Sequence, residues 1–429
     1  MRKFKTGMAA LATIGALALS GCAGTSATPA DPDAPAGELA AAPGFDPATK
    51  TITVGSLVPV SGIWAGAVTN IQGMQAYFDQ ATATGGPLDG YTVEIDNQDS
   101  KYDPATAIPL FNGMKDNVSM FSMILGAPII DALLPTMKED NLIGVPAGIV
   151  PSFLTDENIV PTFPLLNTYH AAAVDYAAND LGFADAKYCS LVVEDVFGDA
   201  MQDAYDFAVD DLAVETGEEL RFASGTEDFT AQVSALKNDG CEVVLIGGVG
   251  MIVQQFAIKA VQLDYNPQII TSNTAYNVTM ATGPGADWIA EHVVFAVTGT
   301  GWDGTEAPGQ QEMVSALDGL GVDIVPTANA YQTGWVNAAL TTLILEKAIE
   351  KGDMSRASLQ EIALTELGEV DDDMGMSGGP FDYGTSAADR TPPNLMSFFT
   401  VDASVPTGLS LQKYNFESSV VKDYVESLK

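Results

Sequence analysis

Short apolar runs rich in valine and isoleucine alternate with helical patterns along the chain from Thr51 onward. This alternation predicts an α/β fold with parallel sheets. A first series predicts strands over residues 52–58, 91–95, 120–125 and 142–145, separated by helices over residues 71–83, 104–117 and 130–139. These elements are sufficient for one domain.

A second series of the same kind begins after Tyr169. It predicts helices over residues 169–181, 200–215, 231–238 and 253–263, and strands over residues 188–193, 220–223, 243–246, 268–271 and 292–297. Further helices are predicted over residues 310–320 and 330–351, and short strands over residues 381–383 and 396–401. Two successive α/β series predict a protein with two lobes.

The chain opens with a short basic region and an apolar run. Arg2, Lys3 and Lys5 precede an uncharged apolar segment over residues 7–19. This order is typical of a secretory signal peptide. The segment is shorter than the roughly 20 residues that a bilayer-spanning helix requires. Residues 1–21 are therefore predicted to be a signal peptide.

The end of this segment resembles a bacterial lipobox, with the order Leu19, Ser20, Gly21 and Cys22. The resemblance implies cleavage before Cys22 and lipidation of its sulfur, and two or more acyl chains anchor a protein stably. The alternative is an ordinary secretory signal with an incidental cysteine. Residues 22–50 contain few large apolar residues, which predicts a disordered tether to the membrane.

Length and charge restrict the class of protein further. Beyond the tether, about 380 residues exceed the usual size of one hydrophobic core. The 18 Lys and Arg residues are outnumbered by 56 Asp and Glu residues, giving a formal net charge of −38. Such a surface repels a phosphate backbone, so a nucleic-acid partner is not expected. No later segment is predicted to span a membrane.

Two cysteines remain after Cys22, and each stands near the start of an apolar run. Cys189 precedes Ser-Leu-Val-Val, and Cys241 precedes Glu-Val-Val-Leu-Ile. Neighbouring parallel strands would place both cysteines at the same end of a sheet. A disulfide, which persists in exported proteins, and a pair of buried thiols are both compatible with this pattern.

Several segments together resemble the type I periplasmic binding proteins, in particular the leucine/isoleucine/valine-binding branch. They are Pro-Val-Ser-Gly at residues 59–62 with Gly73, the Gly-Gly lead at residues 85–90, residues 98–105 with Asp103 and Pro104, Phe197 with Gly198, Gly247 with Gly248, Tyr331, and Gly-Gly-Pro-Phe-Asp-Tyr-Gly at residues 378–384. Their order covers nearly the whole chain beyond the tether.

The resemblance implies two Rossmann-like lobes with parallel central sheets, joined by a three-strand hinge. The implied lobe 1 comprises residues 51–165 and 298–377. The implied lobe 2 comprises residues 166–297 and 378–429. A ligand is then expected in the cleft where strand ends of the two lobes face each other.

Loops at these strand ends provide the candidate ligand-binding residues. The expected set is Trp64, Gly126, Ala127, Ala147, Ile149, Phe197, Val249, Asn273, Tyr276 and Tyr331. For the aromatic members, which include Trp335 as a further candidate, core packing is an equally good interpretation.

The resemblance also bears on the class of ligand. Amino-acid receptors of this family hold the carboxylate with Ser or Thr hydroxyls and the ammonium with an acidic side chain. In this chain those positions fall on Gly126, Ile149 and Asn273. An organic or aromatic carboxylate is therefore expected, because a buried ammonium without a carboxylate partner is costly. The alternative is a branched-chain amino acid held by another acid such as Asp195.

Two motifs suggest enzymatic chemistry but lack its context. Residues 375–379 fit a serine-hydrolase nucleophile elbow, yet His170 and His292 both precede Ser377 and no helical pattern follows. Residues 299–304 fit a dinucleotide fingerprint, but the required helix is interrupted. The two histidines are isolated, so no metal site is expected. Catalytic residues and cofactors are not expected.

These features predict an extracytoplasmic lipoprotein that binds a small ligand by closure of two lobes. As a monomer, it would deliver the ligand to the permease and ATPase subunits of an ABC importer. The alternative is a lipid-anchored receptor that passes the same closure to a membrane signalling protein. A third interpretation, an extracytoplasmic enzyme, lacks a convergent acid, base and nucleophile.

Overall fold

The predicted α/β architecture is confirmed, with mixed sheets that are mainly parallel. The computed structural model describes residues 39–300, 307–323, 330–405 and 407–428. The predicted signal peptide, Cys22 and the tether up to residue 38 lie outside these residues. No helix within the described ranges is both long and apolar enough to cross a membrane.

Fourteen strands are present in the described residues. They are β1 (Phe45–Asp46), β2 (Thr51–Leu57), β3 (Thr92–Asn97), β4 (Phe121–Ile124), β5 (Gly144–Pro146), β6 (Lys187–Val193), β7 (Glu215–Phe222), β8 (Val243–Gly247), β9 (Gln268–Ser272), β10 (Val293–Val297), β11 (Glu369–Val370), β12 (Phe381–Asp382), β13 (Leu395–Val401) and β14 (Leu409–Glu417).

Thirteen α-helices accompany these strands in the same ranges. They are α1 (Val68–Thr82), α2 (Pro104–Met114), α3 (Ala127–Glu139), α4 (Pro151–Leu154), α5 (Thr168–Asn179), α6 (Val196–Asp211), α7 (Thr230–Asp239), α8 (Ile252–Gln262), α9 (Ala286–His292), α10 (Pro308–Gly319), α11 (Ala330–Lys351), α12 (Arg356–Thr365) and α13 (Ser419–Ser427).

The first sheet, called sheet 1, contains β1 to β5. Strand β2 lies between β3 and β4, and β5 continues the sheet beyond β4, all in parallel. All four residues of β4 are buried, as expected for a parallel strand covered on both faces. The carboxyl ends of these strands lie at the same edge of the sheet.

The second sheet, called sheet 2, has the order β14-β13-β10-β9-β8-β6-β7. The five strands β6 to β10 are parallel, whereas β13 and β14 pair antiparallel at one side. Helix α5 packs on β8, β9 and β10. The later helix α11 packs against sheet 1, where it contacts α1, β4 and β5. The lobe bounds expected from the sequence stay predictions.

The predicted tether extends too far toward the C-terminus. Residues 39–50 belong to the described structure, and β1 pairs antiparallel with β2, with Phe45 opposite Ile52. The Phe45 side chain is 4% exposed. Gly44 approaches the backbone of Ser119 so closely that a Cβ would lie 2.0 Å from its nitrogen. Strand pairing, the buried Phe45 ring and the close approach of Gly44 therefore attach this segment to sheet 1.

Several elements were missed by the sequence analysis. Helix α9 occupies residues up to His292, so the strand expected from residue 292 begins at Val293. Helices α4, α12 and α13 and strands β11 and β14 were also not predicted. Helices α12 and α13 each begin with an N-cap serine that the sequence shows. The side chains of Ser355 and Ser418 accept backbone N–H groups at the N-termini of these two helices.

The two cysteines that sequence analysis left open form a disulfide bond. Cys189 and Cys241 have their sulfurs 1.97 Å apart and their Cα atoms 5.8 Å apart. Strands β6 and β8 are parallel neighbours, with Cys189 opposite Val244. Both cysteines consequently lie at the same end of sheet 2, where their side chains meet.

Helices α1 and α11 pack through two glycines that allow their backbones to touch. A Cβ on Gly73 would lie 2.1 Å from the Tyr331 carbonyl oxygen, and one on Gly334 would lie 1.9 Å from the Asn70 carbonyl oxygen. No side chain fits between backbones at such distances. The contact places the N-terminal ends of both helices side by side.

His170 lies in the first turn of α5 and is fully buried against sheet 2. Burial lowers the pKa of His170 to about 3, against a smaller opposing effect of the Ile246 backbone. The folded state therefore favours neutral imidazole. As the pH falls below about 6.5, the unfolded chain binds a proton that the folded chain excludes, and stability is lost.

We predict that Gly334→Ala destabilises the protein by about 1 to 3 kcal/mol, because α1 and α11 must separate. The matched control is Gly113→Ala in α2, where an added Cβ meets no atom within 4 Å. That variant should gain up to about 1 kcal/mol from helix propensity. Urea unfolding measures both changes, and equal effects would contradict the close approach of the two helices.

We predict that His170→Leu reduces the loss of stability between about pH 7 and about pH 5 by about 2 kcal/mol relative to the parent chain. The leucine has no proton to bind, so the histidine contribution to this loss disappears. Urea unfolding at the two pH values measures the difference. If both chains lost the same free energy of unfolding between the two pH values, folding would not prevent protonation of His170.

Candidate ligand-binding cleft

A cleft of about 530 Å³ lies between the carboxyl ends of strands in the two sheets. Sheet 1 contributes loops after β2, β3, β4 and β5, and sheet 2 contributes loops after β6, β8, β9 and β10. The starts of α1 and α11 also reach the cleft, at Val68 and Ala330. Strand ends of two open sheets thus face each other across one cavity, the usual location of ligands in such folds.

Eight of the ten expected ligand-binding residues line this cleft. They are Trp64, Gly126, Ala127, Ala147, Phe197, Val249, Asn273 and Tyr276. Ile149 and Tyr331 lie outside the lining and are each 1% exposed. The backbone of Ile149 pairs with Leu165, and Tyr331 belongs to a separate apolar cluster with Trp335 and Phe163. Contact of the eight residues with a ligand stays a prediction.

Among the described residues, the lining of the cleft contains no charged side chain. It consists of small, apolar, aromatic and neutral polar residues. Asp195, the acid considered for an ammonium group, is not part of the lining. Its Oδ1 atom accepts the N–H groups of Phe197 and Gly198, each at 3.0 Å, as the N-cap of α6. Burial raises the pKa of the Asp195 carboxyl.

Several polar groups of the lining are bonded within the protein. The hydroxyls of Tyr169 and Thr298 are 2.7 Å apart, and burial raises the pKa of Tyr169 to about 12. The Thr274 hydroxyl donates to the Gly248 carbonyl at 2.7 Å, and the Tyr276 hydroxyl donates to a backbone carbonyl at 2.5 Å. These bonds fix the side chains, whose apolar parts form the walls.

The N-terminus of α3 opens into the cleft at Gly126 and Ala127. Gly126 has a φ of 119°, a conformation that suits only glycine. As the N-cap it has no side chain to bond the first amides of the helix. Pro128 has no N–H group and the Ile129 N–H donates to the Gly126 carbonyl, so the N–H groups of Gly126 and Ala127, together with the helix dipole, are the features that favour an anion here.

The aromatic wall on the side of sheet 1 includes a residue that sequence analysis missed. Tyr102 follows β3 and packs edge-on against Trp64, with ring centroids 5.4 Å apart. Phe163 and Leu166 line the cleft as well and were not predicted. The sequence did contain a signal for Tyr102. Asp103 is the expected N-cap of α2, so Tyr102 stands directly before a helix, in the loop that follows a strand.

The segment with the apparent nucleophile elbow is a turn organised by Asp372. The Asp372 carboxylate accepts the N–H groups of Met376, Ser377 and Gly379 at 2.9 to 3.1 Å. Strand β12 follows this turn, where an elbow would be followed by a helix. Residues 301–304 of the second motif lie outside the described residues.

Helix α11 holds two neighbouring segments together at the edge of the cleft. The Gln332 amide donates to the carbonyl oxygens of Thr298 and Met376. Thr298 itself lines the cleft, and its hydroxyl is paired with Tyr169. Gln332 of α11 therefore bridges the backbone after β10 and the Asp372 turn.

A family model described as periplasmic binding protein matches residues 51–406. The chain belongs to the periplasmic binding protein family. This membership agrees with the resemblance drawn from its sequence segments. No curated protein was found to match this periplasmic binding protein.

Solved structures with the same fold cover most of this periplasmic binding protein. A fatty acid ABC transporter substrate-binding protein from Thermomonospora curvata has a TM-score of 0.81 and 21% identity, covering 90% of this chain and 97% of its own. An ABC transporter substrate-binding protein from Aeropyrum pernix has a TM-score of 0.75, 17% identity, and coverages of 87% and 98%. These likenesses confirm the type I fold.

A third similar structure holds an amino acid. It is a branched-chain amino acid ABC transporter protein from Thermus thermophilus with bound valine, with a TM-score of 0.72 and 16% identity, covering 87% of this chain and 98% of its own. The same fold therefore accompanies proteins named for fatty acids and for amino acids, and the fold alone does not choose a ligand for this periplasmic binding protein.

Proposed function

We propose that this chain is the substrate-binding protein of an ABC importer and that it binds an apolar organic carboxylate. The choice of ligand rests on one observation, that the described residues lining the cleft carry no charge. A carboxylate with an apolar body requires one polar end and apolar walls. The α3 amides at Gly126 and Ala127 are suited to the polar end.

An α-amino acid fits this cleft less well. Its ammonium group would need a carboxylate or several carbonyl partners after leaving water. Asn273 stands at the position expected for that carboxylate, and Asp195 is engaged in capping α6. Both sequence and geometry therefore favour a ligand without an amine.

The size of the cleft accommodates ligands larger than valine or leucine as well as ligands of their size. A volume of about 530 Å³ falls within the range of about 300 to 1,000 Å³ that is usual for drug-sized ligands. The similar protein from Thermomonospora curvata is named for fatty acid transport. We take this name as support for an apolar acid.

Binding of one ligand by two walls would couple ligand capture to transport. A ligand bound to loops of both sheets stabilises the state in which the walls are close, and closure presents a changed surface to a permease. The permease and its ATPase are the proposed partners of a monomeric binding protein. A lipid-anchored sensory receptor would use the same closure, and the functions of adjacent genes distinguish the two roles.

We predict that 4-methylpentanoate and longer unbranched acids such as octanoate raise the thermal midpoint, whereas leucine does not. Leucine differs from 4-methylpentanoate only by its amine, so the pair measures the effect of the amine alone. A ligand at 100 times its Kd adds about 2.7 kcal/mol of stability. A strong shift with leucine and none with the matched acid would refute the proposed ligand class.

We also propose that Cys22 carries the lipid that anchors the protein on the extracytoplasmic face of the membrane. The basis is the sequence Leu19, Ser20, Gly21 and Cys22 after the apolar run. We predict that Cys22→Ser abolishes lipidation. Mass spectrometry and detergent partitioning measure the change, and an acylated, membrane-bound variant would contradict the proposal.

A further inference from the structure

Tyr102 occupies an unusual position in the cleft beside the α3 N-terminus. A Cβ built on Gly126 would lie 3.0 Å from Cε2 and 3.4 Å from Cδ2 of the Tyr102 ring. The ring thus fills the space that a side chain at position 126 would take. On another side the ring meets Trp64, so both neighbours restrict its movement.

The backbone around Tyr102 is held in a conformation that costs free energy. Lys101 and Tyr102 have φ values of 53° and 59°, in the left-handed region that disfavours residues with a side chain. Such strain persists only where surrounding bonds enforce it, and it is frequent at ligand sites. Here the strained pair places one aromatic ring at the cleft.

The bonds that enforce this turn come from the Asp99 carboxylate and from the Asp103 backbone N–H, which donates to the Ser100 carbonyl at 2.9 Å across the turn. The Asp99 carboxylate accepts the N–H groups of Val60 and Lys101 at 3.0 and 3.1 Å, and the Ser61 hydroxyl at 2.6 Å. Asp103 caps α2 immediately after the turn. Asp99 therefore ties the loop that carries Trp64 to the turn that carries Tyr102.

We infer that Tyr102 is a specificity-determining residue that restricts the ligand to carboxylates without a substituent on the carbon next to the carboxylate. This inference rests on the proposed function, in which the carboxylate lies at the amides of Gly126 and Ala127. The carbon next to that carboxylate would lie beside the Tyr102 ring. An unsubstituted carbon fits along the ring, whereas an alkyl branch or an amine at that carbon collides with it.

Two isomeric acids test this inference in the full-length protein. Octanoate is unbranched, whereas 2-ethylhexanoate has the same composition and a branch at the carbon next to the carboxylate. Isothermal titration should give octanoate a Kd about tenfold lower than that of its isomer. In Tyr102→Ala the preference should fall to within about twofold, because the ring no longer crowds the branch.

Control variants separate specificity from stability. Tyr102→Phe keeps the ring and should keep the preference, and Tyr102→Leu serves as the ring-free variant if the alanine variant does not fold. Tyr91→Ala removes a partly buried tyrosine outside the cleft lining, and should keep the ratio of the two Kd values even if stability falls.

The outcomes distinguish this inference from the function on which it rests. Binding of both acids with an unchanged ratio in both ring-free variants would overturn the role of Tyr102 alone. Loss of the preference in Tyr102→Phe would overturn the steric argument, because the ring is retained. Binding of neither isomer by the parent chain would overturn the proposed ligand class and this inference together.

Discussion

The backbone contact between α1 and α11 is the constraint on which the cleft depends. Gly73 and Gly334 allow the two helices to approach until carbonyl oxygens stand where side chains would otherwise be. The start of each helix then lines the cleft, and Gln332 of α11 is placed to bond Thr298 and Met376. Packing of two helix backbones beside the cleft therefore positions residues that line it.

The chemistry of the cleft follows from where the protein uses its polar groups. Asp195 caps α6, the Thr274 hydroxyl bonds a backbone carbonyl, and Tyr169 pairs with Thr298. Once these groups are satisfied internally, the described walls present mainly apolar surfaces with neutral amide and hydroxyl groups among them, and the start of α3, which lacks a side-chain cap, is suited to an anion. An apolar acid matches this distribution better than a zwitterion does.

Sequence patterns predicted the repeated strands and helices well because buried parallel strands are continuous apolar runs. They failed for β1, which is only two residues long, and for α9, whose end was assigned to a strand. At the cleft, the rule that ligands meet strand ends placed eight residues in the lining. It failed for Ile149, which pairs with Leu165, and for Tyr331, which faces a separate core.

The amino-acid sequence by itself determined the α/β class, the family and several of the loops that reach the cleft, because these depend on periodicity and on short segments in order. Tertiary structure alone decided that Cys189 and Cys241 are bonded and that Tyr102 fills the space beside Gly126. Each of these facts is a distance between residues well separated along the chain. Local patterns contain no such distances, and only the packing of the sheets and helices determines them.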